Sequence, residues 1–178
     1  MRLGRPSLPR EVAARVPGRP LAFAETTDGT WLVGSRDAFV VVPAAGTPDP
    51  ASGPSVGTRI PWEQVEGADW DRDGSRLRVT EVGRFGEPRP SYVFTLPETE
   101  PATLLQLIRE RVTASVVLQR GQLVAGKRGL KVIGRRAPSG GPITWMHEYD
   151  EGVDPDDPAV RAAAREALEV AQRDVGLP

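Results

Sequence analysis

The sequence predicts an α+β fold: an antiparallel β-barrel or sandwich closed by one helix, with a smaller strand–hairpin–helix extension behind it. Three observations carry that expectation. About seven short strand-like segments follow one another from Leu21 to Leu96. An amphipathic helix near Pro101–Val112 comes directly after them. Beyond that helix lie a further strand pattern, a hairpin pattern and a well-capped final helix. Strands grouped first and a helix after them separate α from β along the chain, as α+β folds do.

Taken in order, residues 1–19 read as an arm with a short helix, Leu8 to Val16, capped by Ser7, with Pro9 in its first turn and Pro17-Gly18 stopping it. Leu21–Glu25 and Thr30–Gly34 flank Thr27-Asp28-Gly29, a tight-turn sequence. Ala38–Val42 follows, and its unbroken run Phe39-Val-Val-Val42 predicts a strand covered on both faces. Residues 43–57 hold four Pro and three Gly and read as a loop. Thr58–Trp62 sets Ile60 and Trp62 on one face, and Val65–Asp71 sets Ala68 and Trp70 together. Asp73-Gly74 turns the chain into Arg76–Val82, where Leu77 and Val79 point inward and Arg76, Arg78 and Thr80 outward. A second loop, Gly83–Pro90, precedes a strand on which Tyr92, Phe94 and Leu96 share a face. Thr99 or Glu100 caps the next helix, whose apolar stripe is Leu104, Leu105, Ile108 and Val112.

The extension, residues 113–178, begins with Thr113–Gln119, rich in β-branched residues and expected as a strand. Arg128–Arg136 and Pro142–Asp150 read as a hairpin around Ala137–Gly141. In the final helix Asp157 caps, Pro158 takes the first position, and Val160, Ala164, Leu168, Ala171 and Val175 form one face, with Glu169 and Arg173 as an i,i+4 pair. This small sheet and helix are expected to pack on the barrel or on a second subunit.

Composition narrows the function classes. At 178 residues the chain can bury a core without disulfides, and it has no Cys and a single His, His147. Thiol chemistry and Cys-based zinc sites are thereby excluded. The net charge of −1 gives no global field toward nucleic acid or an anionic membrane. Residues 1–10 carry basic side chains but no apolar run, so they do not read as a secretory signal, and no stretch reaches the ~20 apolar residues of a membrane span. The expectation is a cytoplasmic protein.

The segment Ile60-Pro-Trp-Glu-Gln-Val65 with Ala68-Asp-Trp70, set among seven strands and one closing helix, resembles a bacterial PH-like domain over residues 20–112. The whole chain is also similar to small uncharacterised proteins of high-GC Gram-positive bacteria. That similarity rests on Trp62-Glu-Gln-Val65, Arg111–Leu118 and Tyr149–Pro158. The resemblance implies a PH-like barrel. It also implies phosphoinositide sites rich in Lys and Arg in the first strand–strand loop, but here that loop is the acidic Glu25-Thr-Thr-Asp-Gly29. The closing helix also lacks the Trp of eukaryotic-type PH domains.

The candidate sites are few. Asp69, Asp71, Asp73 and Gly74 match the first half of a calcium loop, D-x-D-x-D-G. Position eight is then Arg76 and position twelve Thr80 rather than a bidentate Glu, so a solvated Asp-Gly turn is the competing reading. Arg120, Lys127, Arg128, Lys131, Arg135 and Arg136 form a basic stripe without an acid between residues 112 and 147. Such a stripe can bind phosphates of lipid, RNA or DNA. Six acids follow at residues 148–157, so the competing reading is a charge-matched hairpin. His147 shares a strand face with Ile143, Trp145 and Tyr149 and has neither the nucleophile nor the second ligand that catalysis or metal binding needs. Gly83–Gly86 and Ser139–Gly141 lack the frame of a phosphate loop. Glu63, Glu66, Asp69 and Glu81 read as acids on polar strand faces, and the four Trp as core anchors or barrel-rim residues.

The reading that follows is a non-enzymatic PH-like interaction module. It uses no cofactor and binds a protein partner, a second copy included, by a strand edge or the groove beside the helix. The alternatives are a peripheral anionic-lipid or nucleic-acid binder using Arg120–Arg136, and an unrecognised enzyme.

Overall fold

The computed structural model describes residues 7–44, 58–83, 89–97 and 101–176, and divides the chain into two units, Met1–Thr113 and Ala114–Pro178. The structure is α+β, with three antiparallel sheets.

In the first unit β1 (Ala22–Glu25), β2 (Trp31–Gly34), β3 (Ala38–Val42) and β4 (Thr58–Pro61) form one four-stranded sheet in sequence order. Thr27-Asp28-Gly29 makes the first turn, closed by Thr26 N donating to Thr30 O at 2.8 Å, with Gly29 at φ +80°. The Asp28 carboxylate, hydrogen-bonded by the Thr26 hydroxyl, is held below the usual range. Pairing is in register: Ala22 opposes Gly34, Gly34 opposes Phe39, and Phe39 opposes Ile60. The period of two then sorts the sheet into two apolar layers. Ala22, Leu32, Phe39, Val41 and Ile60 enter the main core. Val33, Ala38, Val40 and Val42 turn the other way, onto Val12 and Val16 of the arm. All five residues of β3 are buried, as its apolar run predicts.

A 3₁₀ turn, Trp62–Gln64, carries the chain out of β4 and into a second sheet of β5 (Val65–Asp71), β6 (Arg76–Glu81) and β7 (Ser91–Thr95). The two sheets stay open. The barrel alternative is therefore corrected to two separate sheets, because the turn at Trp62 leads the chain away before β4 can pair with β5. Trp62 is fully buried and its indole N–H donates to Ser35 O at 3.1 Å, so the large ring brings no unsatisfied donor inside. Leu77, Val79 and Phe94 line the inner face of the second sheet with Ala68, Trp70 and Tyr92 beside them.

Helix α2 (Ala102–Ser115) supplies Leu104, Leu105, Leu107 and Ile108 to the same core, each side chain worth about 1.5–3 kcal/mol of burial. Leu107 lies so close to Gly34 that a Cβ there would sit 2.5 Å from its Cδ2, so any larger residue requires the Leu107 side chain to shift. Leu107 takes a place the expected stripe did not include, and Val112 is only partly buried. The residues offered as caps, Thr99 and Glu100, lie outside the described residues, as do most of the loops at 43–57 and 83–90.

Several boundaries differ from expectation. Helix α1 spans only Arg10–Ala13, and its N-cap is Pro9, with no side-chain capping bond and so no part for Ser7. The β5–β6 loop is Arg72–Ser75, and its left-handed residue is Ser75 at φ +48° rather than Gly74. Thr113–Ser115 continue α2, so the next strand starts at Val116.

In the second unit β8 (Val116–Ala125), β9 (Arg128–Arg135) and β10 (Thr144–Tyr149) form a sheet of order β10-β9-β8, and α3 (Pro158–Asp174) covers one face. Asp157 caps α3, accepting from Ala159 N at 2.7 Å, and Pro158 sits at the first position as predicted. Val160, Ala164, Ala167 and Ala171 of α3 are buried with Leu130 and Val132 of β9. Ala167 was not on the expected stripe, and Leu168 is only partly buried. Arg173 Nε donates to the Glu169 carbonyl at 3.3 Å, so this i,i+4 contact runs through the backbone.

Candidate functional site

The alternation of each strand decides where the candidate residues go. On β5 and β6, Asp69 opposes Arg78 and Asp71 opposes Arg76, all on the face away from the core. With Trp70 and Val93 they line a depression of about 270 Å³. Arg76 Nε lies 3.6 Å from Asp71 Oδ2, and Asp71 Oδ1 accepts from Gly74 N at 3.2 Å. The Asp69, Asp71 and Asp73 side chains are exposed, and among the described residues no group of three acids or His gathers to hold a metal ion. An arginine opposite each strand carboxylate is the reason: it brings positive charge to the place a cation would occupy.

The basic stripe is contiguous in sequence and dispersed in space. Arg120, on the α3 side of β8, pairs with Asp174 at 2.9 Å. Lys131 faces the other way, directly opposite Glu148 on β10, with Nζ 3.8 Å from Oε1. Arg135 is 6% exposed and donates to Ser115 Oγ at 3.0 Å. Lys127 and Arg128 are exposed at the β8–β9 turn, and Arg136 is exposed beyond β9, its N–H donating to Ser115 O. The structure thus sets the six on both faces and at two ends of the sheet. Lys131–Glu148 is the cross-strand pairing that the adjacent basic and acidic blocks predict.

His147 lies on the α3 side of β10 with Trp145 and Tyr149. Its Nε2 is 3.3 Å from Ala164 O, and its ring stacks on Tyr149 with centroids 6.2 Å apart. The histidine is tied to the helix backbone, and burial raises the ionisation of Tyr149. Trp62, Trp70, Trp31 and Trp145 each pack in or against an apolar cluster.

Sequence reasoning missed the length of β8. Arg120 and Gly121 look like a strand end, yet the strand runs on to Ala125 and turns back through Gly126-Lys127. Gly126 has φ +60° and Lys127 does not, the pattern of a II′ hairpin turn. A two-residue Gly-containing turn directly before the Arg128 strand was the available signal. The consequence is a ten-residue edge strand carrying one charge, Arg120, with Val117 39% and Leu123 66% exposed. The ladder is regular from Leu118 to Leu123 and shifts on either side of it.

No family model, curated protein or solved structure matches the chain. Among the described residues no helix is long and apolar enough to cross a membrane.

Proposed function

We propose that the chain is a non-enzymatic, PH-like protein-interaction module that engages its partner by strand addition at β8. The single observation that carries the reading is that edge: ten residues, one charge, and two large apolar side chains in solvent. Edges of this kind are ordinarily shortened, charged or covered, because unpaired N–H and C=O groups recruit another strand. Backbone hydrogen bonds then give affinity, and alternate side chains give specificity. A four-stranded and a three-stranded sheet, followed by a helix that feeds their core, support the PH-like assignment of residues 20–112. A core filled by Trp62, Phe39, Leu77 and Ile108 supports a binding scaffold over a catalyst.

The test is capture. Immobilised full-length protein retains a defined protein from cell extract, and the same protein carrying Leu123→Lys retains less of it. Leu123 is exposed, so the change leaves the core untouched. Reproducible failure to retain any protein, a second copy of the chain included, overturns the reading.

A further inference from the structure

We infer that the strand added at β8 is β8 of a second copy, paired antiparallel about a two-fold axis at Gly121. This deepens the reading above and rests on it. An isologous strand pair needs its axis perpendicular to the sheet, so each residue must face one that points to the same side. Only a register centred on a residue meets that condition. The regular ladder, Leu118–Leu123, limits the choice, because centring on Gln119 or Gln122 draws Val117 or Val124, at the register shifts, into the second pair from the axis. Centring on Arg120 sets two guanidinium groups directly opposite, a like-charge pair. Centring on Gly121 sets Arg120 opposite Gln122 of the second copy and Gln119 opposite Leu123 of the second copy, with glycine at the axis. A Cβ at Gly121 would meet nothing within 4 Å, so its hydrogen is not demanded by packing inside the subunit. Each Arg120 keeps its own Asp174, 2.9 Å away, so no unpaired charge enters the joint sheet. The exposed Leu123 gains the aliphatic stem of Gln119. The product is one six-stranded antiparallel sheet.

The opposition of 119 and 123 makes the register testable by charge. Gln119 and Leu123 lie four residues apart on one strand face, about 13 Å by strand rise, so they barely interact within a subunit. Sedimentation of the full chain at about 100 µM is expected to show a dimer. Gln119→Lys with Leu123→Lys places lysine opposite lysine twice, and the dimer's dissociation constant should rise at least about tenfold. Gln119→Glu with Leu123→Lys creates two cross-strand ion pairs and should dimerise as well as the unaltered chain. Circular dichroism and melting of all three proteins show that each is folded. Equal weakening by both double variants overturns the register. A monomeric unaltered chain overturns self-pairing. If that monomer still retains another protein in the capture experiment, the module reading stands; if it retains none, both fall.

Discussion

Tyr92 shows how one side chain binds a local structure to pH. Its hydroxyl donates to Glu81 Oε1 at 2.7 Å, and the neighbouring carboxylate pushes its ionisation up to about 12. A group whose ionisation is raised by folding contributes stability that is whole below its unfolded value near 10 and is lost as pH climbs through about 12. Tyr92→Phe is therefore expected to cost about 0.5–1 kcal/mol near neutrality, a half-buried hydrogen bond screened by solvent. The gap between the two proteins in urea denaturation should close between about pH 10 and 12; a constant gap across that range rules out the linkage. This contact was not legible in the sequence, since it depends on how β6 aligns with β7, which no local pattern dictates. Trp62 was legible, because its alternation with Ile60 already placed it inward. The left-handed Ser75 was not, because Asp73-Gly74 offered the commoner signal for a turn beside it.

Among the elements, α3 was the easiest to foresee and β8 the hardest. Asp157-Pro158 followed by apolar residues at helical spacing marks a start that needs no tertiary help, and the observed capping bond from Ala159 N confirms it. Asp157→Ala should cost about 1 kcal/mol, read as a lower melting temperature, while Asp157→Asn should retain most of the stability, since Asn also caps. Equal damage from both would place the effect in charge instead. β8 hid because helix and strand compete for Thr113–Gln119. The β-branched residues there argue for a strand, yet the chain stays helical to Ser115, where cooperativity from the preceding turns of α2 wins. Farther on, glycine at 121 and arginine at 120 weakened a strand pattern that pairing with β9 then sustained.

At the level of the whole molecule, placement of charge matters more than its count. The six basic residues of the Arg120–Arg136 segment share a stretch of sequence but not a surface, and two of them already hold acids, Asp174 and Glu148. Phosphate binding with a steep salt slope requires several cations acting together. Vesicles of anionic lipid and a single-stranded RNA, each tried at low salt, are expected to retain little of the chain; strong retention that collapses on adding salt would revive the anion-binding alternative. The order of strands before helix foretold the α+β class and the paired sheets, whereas the gap between barrel and sandwich turned on the short 3₁₀ turn after β4, which has no periodicity to read. The seam between the two units falls between Thr113 and Ala114, inside α2. Anyone dissecting the gene at that point would cut through the last turn of a helix. The trimmed front piece would lose the N–H donors that the carbonyls of its final winding accept from, and a back piece begun past Ser115 would leave Arg135 and Arg136 without the Ser115 oxygens that receive them. Shortened clones should therefore overlap across this helix, each keeping it entire.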